Sequence, residues 1–241
     1  MKKLTYCTLT GVDEKTDLAM VCALSRAYRF AEWGLLYSPK RQGEQERYPS
    51  MFFLQKTLDE LPDYVNIALH ICGAGVQQLI EGEALVNTLV HLIDKRHGRV
   101  QLNFNASTIE GKFTIEQLKN YLKNYHNQHS VEFITQYNGA NAKVWSQLTD
   151  LKNHAVLFDA SGGQGISACQ WQHPLPGLNC GYEGGLGVDN VAQELINIQN
   201  VVKDEPFWID MESKLRDADD RFDIDVASSV LSLLDNFKFA K

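Results

Sequence analysis

Short apolar runs alternate with amphipathic stretches along the whole chain. Several runs are apolar on both faces, as in residues 155–158 (Ala-Val-Leu-Phe), which is typical of strands that are covered on both sides. The pattern predicts eight strands, at residues 4–10, 30–38, 64–73, 99–106, 130–138, 154–161, 178–184 and 206–213.

The stretches between these runs have the three-to-four-residue spacing of amphipathic helices. In one of them Leu18, Val21 and Leu24 lie on a common face, and similar patterns recur near the end of the chain. The clearest predicted helices cover residues 13–28, 114–125, 189–202 and 223–237, and residues 81–97 are expected to extend the third helix.

Eight strand-helix units in 241 residues, with no Pro/Gly/Ser-rich linker, indicate one domain over residues 1–241. The predicted class is α/β, as a single (β/α)8 TIM barrel. The alternative is a doubly wound open sheet. Such a sheet carries a glycine-rich turn after its first strand, and residues 8–11 (Thr-Leu-Thr-Gly) match that turn poorly.

The composition of the chain argues against several classes of function. The formal net charge of −7 and the lack of a basic stripe argue against a nucleic-acid partner. No apolar run is long enough to cross a membrane, and no signal peptide is apparent. The five dispersed cysteines are typical of reduced thiols in a cytoplasmic protein. No cofactor is expected, and the pattern leaves monomer and homodimer open.

In a barrel, the carboxyl ends of the strands meet at one mouth, where function resides. The polar candidates there are Cys7, Arg47, His70, Cys72, Asn103, Asn105, Gln136, Asp159, Glu183 and Ser213. A cysteine in an apolar strand is more often a packing residue than a base. Asp159 ends an apolar run, so it either caps the following turn or has a chemical role. A zinc site at His70 and Cys72 is disfavoured, since no further cluster of metal ligands lies nearby in sequence.

Two glycine clusters follow the sixth and seventh predicted strands. The first contains Gly162, Gly163 and Gly165, and the second contains Gly184 and Gly185 and opens onto a helix. Glycine lets the backbone approach a ligand closely, and the N–H groups of a helix start favour anions. Either cluster alone is typical of an ordinary turn between a strand and a helix. Together, in a barrel, they predict a phosphorylated small molecule as substrate.

The motifs resemble those of the phosphoribosylanthranilate isomerase family, in order and over almost the whole chain. The matched segments are 5–10 (Thr-Tyr-Cys-Thr-Leu-Thr), 46–50 (Glu-Arg-Tyr-Pro-Ser), 100–103 (Val-Gln-Leu-Asn), 157–159 (Leu-Phe-Asp), 162–165 (Gly-Gly-Gln-Gly) with Trp171, 184–191 (Gly-Gly-Leu-Gly-Val-Asp-Asn-Val) and 209–216 (Ile-Asp-Met-Glu-Ser-Lys-Leu-Arg).

The resemblance implies a cofactor-free Amadori rearrangement, from aldose to ketose, in tryptophan biosynthesis. It makes Asp159 the general acid, Cys7 the general base and Arg47 the partner of the anthranilate carboxylate. The remaining implied substrate-binding residues, including the phosphate donors, are Gln101, Asn103, Gly162, Gly163, Gly165, Gly184, Gly185 and Ser213.

The sequence departs from the family where the family has Ser-Ser-Gly, because Glu212-Ser213-Lys214 stands there. A glutamate facing the mouth would repel phosphate. A barrel that acts on or binds a different sugar phosphate, with or without isomerase activity, is therefore the alternative.

Overall fold

In this computed structural model, which describes residues 4–105, 112–127, 129–139, 141, 144–159 and 170–238, eight parallel strands form one closed barrel. Each strand pairs with its neighbours in chain order, and β8 closes the ring on β1. The strands are β1 Leu4–Thr10, β2 Ala31–Tyr37, β3 Asn66–Cys72, β4 Arg99–Asn103, β5 Glu132–Tyr137, β6 His154–Asp159, β7 Asn179–Glu183 and β8 Phe207–Met211. The TIM barrel is confirmed, and closure of the sheet excludes the open doubly wound alternative.

Amphipathic helices cover the outside of this barrel. They are α1 Leu18–Ala27, α2 Met51–Glu60, α3 Ala74–Ile80, α4 Ala84–Lys95, α5 Ile115–His126, α6 Val191–Val202 and α7 Ile224–Lys238. Residues 81–97 do not extend α3. The chain breaks at Gly82, whose φ is +83°, and then starts the separate helix α4. None of the helices in the described residues combines the length and the apolar character needed to cross a bilayer.

Side chains alternate between the barrel interior and the helix layer, as the two-residue period of a strand requires. On β1, Thr8 and Thr10 face inward, where their hydroxyls donate to Glu32 and Asp210 at 2.7 and 2.8 Å. Cys7, which precedes Thr8, and Leu9, which lies between the two threonines, face outward and pack in the large apolar core shared with the helices. The apolar cluster inside the barrel is small, so much of the interior is polar.

A buried ion pair joins β2 to β4 inside the barrel, near the strand starts. Arg99 is 4% exposed and Glu32 is 1% exposed. The Arg99 Nε atom donates to Glu32 at 2.8 Å, and a second guanidinium nitrogen also pairs with that carboxylate. The guanidinium lies 4.7 Å from the ring centre of Tyr6 and 4.5 Å from that of Trp208. Arg99 is therefore held between two aromatic rings, which compensates part of its lost hydration.

The seam between β1 and β8 is closed by a second buried ion pair. The Arg216 side chain, 2% exposed, donates to the Gly11 carbonyl at 2.7 Å and to the fully buried Asp13 carboxylate at 2.9 Å. The same Asp13 oxygen accepts from the Phe222 backbone N–H at 2.7 Å. These hydrogen bonds join residues that are 203 to 209 positions apart in the chain, at the mouth of the barrel.

Candidate active site

A cavity of about 630 Å³ opens at the carboxyl ends of the strands. Its wall is rich in side-chain amides, which can both donate and accept hydrogen bonds. These amides are Gln101, Asn103, Asn105, Gln136 and Asn138. The predicted binding residues Gln101 and Asn103 therefore do line the mouth. A cavity of this size holds a small metabolite.

Three carboxyl groups stand side by side on neighbouring strands near the floor of this mouth. Glu183 and Asp210 line the cavity, and Asp159 is fully buried beside them. Asp159 of β6 is in register with Glu183 of β7, and Glu183 is in register with Asp210 of β8. Burial, with Glu212 and Glu32 nearby, raises the pKa of Asp210 to about 8. Burial and the charges of Asp210 and Asp159 raise the pKa of Glu183 well above its ordinary value. The floor therefore retains protons at neutral pH, because adjacent buried carboxyls cannot all ionise.

Hydrogen bonds hold two of these carboxyls in place. Gln136 Nε2 donates to Asp159 Oδ2 at 3.4 Å, and Thr10 Oγ1 donates to Asp210 Oδ1 at 2.8 Å. The Oε2 atom of Glu183 is buried and has no hydrogen-bond partner among the described residues. That oxygen is consequently available to a ligand in the mouth.

His70 lies against the same floor. It is 2% exposed, and its Nε2 atom is 3.8 Å from Asp210 Oδ2 with no hydrogen-bond partner in the part of the chain described. Burial, together with the positive charge of Arg99, lowers the pKa of His70 to about 3. The imidazole is therefore neutral at physiological pH and can donate or accept one hydrogen bond.

Arg47 lines the mouth, and two acidic side chains neutralise it. Its Nη1 atom lies 2.6 Å from Glu212 Oε1, and its Nη2 atom lies 2.6 Å from Asp220 Oδ1. Its Nε atom also donates to Asp220 at 3.1 Å, so the Asp220 pair is bidentate. These pairs raise the pKa of the Arg47 guanidinium. An anionic ligand at this position would have to compete with both carboxylates.

Cys7, the predicted base, is not brought to the mouth. Its side chain is fully buried in the core between barrel and helices, and it is absent from the cavity wall. Burial and the charges of Asp210 and Glu32 raise the pKa of its thiol well above the ordinary value. The cysteine that does line the mouth is Cys72, whose pKa is raised to about 12, mainly by burial. Both thiols are therefore protonated at neutral pH.

The predicted phosphate donors are divided between described and undescribed residues. Gly184, Gly185 and Ser213 line a crevice of about 20 Å³ beside the mouth. Lys214 reaches the same crevice and pairs with Asp189 at 2.9 Å. The third predicted phosphate donor, Gly163, and the predicted substrate-binding residues Gly162 and Gly165 lie outside the described residues.

Asp210 was not among the sequence candidates. It precedes the end of the eighth predicted strand by three positions, as the candidates Cys7, His70 and Asn103 do in their own predicted strands. A signal was present, because Asp210 is a lone charge within the apolar run 207–211 (Phe-Trp-Ile-Asp-Met). A charge in such a run requires a partner or a function.

The protein is similar to known proteins in its structure, whereas comparison of its sequence finds no match. No family model matches the chain, and no curated protein matches it in sequence. Among solved structures, TrpF from Jonesia denitrificans has a TM-score of 0.62 at 12% identity, over 98% of this chain and 100% of that chain. Phosphoribosyl anthranilate isomerase from Thermotoga maritima has a TM-score of 0.61 at 16% identity, over 98% and 100%.

A structure with different chemistry is also similar. D-psicose 3-epimerase from Clostridium cellulolyticum H10 has a TM-score of 0.52 at 10% identity, over 99% of both chains. At these identities the likeness establishes a shared barrel fold. It agrees with the resemblance to phosphoribosylanthranilate isomerases found in the sequence, and the specific reaction has to be argued from the site.

Proposed function

We propose that the protein is an aldose–ketose isomerase that moves protons between the carboxyl groups of its mouth. The observation that carries this proposal is the row Asp159, Glu183 and Asp210 on adjacent strands. The pKa of Asp210 is raised to about 8, and that of Glu183 is raised well above its ordinary value. Isomerisation needs one group that donates a proton and another that accepts one. A row of coupled carboxyls supplies both at the same pH.

The first reaction to consider is the Amadori rearrangement of phosphoribosylanthranilate in tryptophan biosynthesis. In this assignment Asp159 keeps the acid role that the resemblance implies, and protonates the ring oxygen as the sugar opens. Asp210 takes the base role in place of Cys7 and removes the proton from C2′. A base works best when its pKa lies near the working pH, and that of Asp210 is about 8.

The electrostatics of the mouth favour a second candidate, an isomerase or epimerase for a sugar that bears no carboxylate. Arg47 is paired with Glu212 and Asp220, and Glu212 itself lines the mouth. Phosphoribosylanthranilate carries both a carboxylate and a phosphate, which these acidic groups would repel. The amides of the wall suit hydroxyl groups of either substrate.

Turnover separates the two candidates. The enzyme is mixed with freshly prepared phosphoribosylanthranilate, and loss of its fluorescence is followed. A panel of free and phosphorylated aldoses and ketoses is then assayed for interconversion by chromatography. Activity on the first substrate supports the Amadori reaction, and activity only on sugars of the panel, which bear no carboxylate, supports the second candidate. Absence of interconversion throughout the panel would refute the isomerase proposal.

Variants test the mechanism. Asp210→Asn keeps the shape of the side chain, removes the base and is expected to lower kcat by at least about a hundredfold. Asp63→Asn is the matched control, because the Asp63 side chain is 98% exposed and is remote from the mouth cavity. If Asp210→Asn and Asp63→Asn have equal rates, Asp210 is not the base.

A further inference from the structure

A group of metal-ligand side chains lies on the outer wall of the barrel, away from the mouth. It consists of His91 and Asp94 on α4 and His129 in the segment before β5, with ligand atoms within 4.8 Å of one another. Because α4 ends at Lys95, just before β4 begins at Arg99, the group lies at the end of the barrel that carries the strand starts. Function in this fold is concentrated at the opposite face, so a role in stability is indicated.

Two of the three side chains are already held in place. The Asp94 Oδ1 atom accepts from the backbone N–H groups of Ser130 and Val131 at 2.9 and 3.1 Å. The Asp94 Oδ2 atom is 2.5 Å from His129 Nδ1. The His129 ring also stacks on Tyr125, with ring centres 4.1 Å apart. Such outer contacts orient ligands before an ion arrives.

The third side chain completes the group from the solvent side. His91 is exposed and precedes Asp94 by three residues on α4, so the two share one helix face. Its ring meets that of His129 edge to face, with centres 6.1 Å apart. Zinc binds imidazole nitrogen and carboxylate oxygen at about 2.0–2.2 Å, which a rotation of the exposed His91 side chain would permit.

We propose that His91, Asp94 and His129 bind one divalent transition-metal ion of the zinc, cobalt or nickel type. Two imidazoles and one carboxylate suit ions of this class better than magnesium or calcium, which prefer oxygen ligands. The ion takes the place of the direct contact between His129 and Asp94, and water fills the remaining coordination positions. Binding joins the end of α4 to the segment before β5 and thereby stabilises the folded state.

The test uses full-length protein without an affinity tag, titrated with Co²⁺. We expect one equivalent to bind with visible d–d absorption bands, and Zn²⁺ to displace it. His91→Ala should weaken binding by at least about tenfold, since it removes one of three ligands. His173→Ala is the matched control, because His173 is also exposed and lies outside the group.

Melting of the metal-free variants verifies that both are folded. An added ion should raise the melting temperature of wild type and His173→Ala, and should raise that of His91→Ala much less, because only a bound ion stabilises the native state. Equal Co²⁺ affinity in His91→Ala and wild type would overturn the proposal, as would the absence of binding in wild type. These readouts do not depend on the isomerase proposal.

Discussion

Substitution of Glu32 by glutamine is expected to destabilise the barrel strongly. The change leaves Arg99 charged in a site where it is only 4% exposed, between Tyr6 and Trp208. Removing one partner of a buried ion pair costs about 3–5 kcal/mol. Glu132, 3.5 Å from Arg99 and 29% exposed, compensates in part, so we expect a loss near the lower limit, about 3 kcal/mol.

Urea unfolding followed by circular dichroism measures this loss. With a slope of about 3 kcal/mol/M, the midpoint should fall by about 1 M at unchanged slope. The control is Glu60→Gln, which breaks the exposed pair of Lys56 and Glu60 at 3.9 Å and should cost at most about 0.5 kcal/mol. A Glu32→Gln midpoint as close to wild type as that of the control would refute the buried-pair reasoning.

Three further predictions concern the mouth and the barrel interior. Folding raises the pKa of Asp210 from 3.8 to about 8. Between these two pH values the folded state holds a proton that the unfolded state has lost, so the free energy of unfolding falls as pH rises. Asp210→Asn should therefore flatten the fall in the urea midpoint between about pH 5 and 8. Cys7→Ala should retain most of whatever isomerase activity is found, whereas Asp159→Asn should reduce kcat by at least about a hundredfold. Gly181→Ala should destabilise by more than about 3 kcal/mol in urea unfolding, because the added methyl group would overlap the buried ring of Trp208.

Each of these predictions has an outcome that contradicts it. An unchanged pH dependence in Asp210→Asn would mean that this carboxyl is ionised in the folded protein. A loss of activity in folded Cys7→Ala equal to that of Asp159→Asn would restore the thiol as the base. A Gly139→Ala control, where the added carbon meets no atom of the described residues within 4 Å, should be tolerated, and equal stability of the Gly181 variant would refute the clash.

The element order was predictable because strands and helices differ in hydrophobic period. All eight strands lie at the predicted places, and residues 154–161, for example, contain the observed β6, His154–Asp159. The break after α3 was missed because residues 81–97 carry apolar positions at helical spacing, and a single glycine does not by itself end a helix.

The direction of side chains was less predictable than the position of strands. Both faces of a parallel strand are buried, so hydrophobicity alone does not distinguish barrel interior from helix layer. Moving a strand by one residue would exchange the side chains on its two faces. In the observed register Thr8 and Thr10 face the barrel interior, and Cys7 faces the helix layer. The alternation of polar Thr8 and Thr10 with Cys7 and Leu9 was the signal that could have indicated it.

The ion pairs were beyond sequence reasoning for another reason. Arg99 and Glu32 are 67 residues apart, and Arg47 and Glu212 are 165 apart. Neither pair has a local motif, because their contact depends on where the closed barrel brings strands and loops together. The neutralisation of Arg47, and with it the argument against an anionic substrate group, follows only from the folded structure.

The seam formed by Arg216 has a consequence for synthesis in the cell. Asp13 leaves the ribosome about 200 residues before its partners Arg216 and Phe222, from which it is separated by 203 and 209 positions. Until then, β1 presents an unpaired edge and Asp13 lacks its buried partner. The barrel can therefore close only after β8 and Arg216 have been made, and a nascent chain stalled before residue 216 should depend on chaperones.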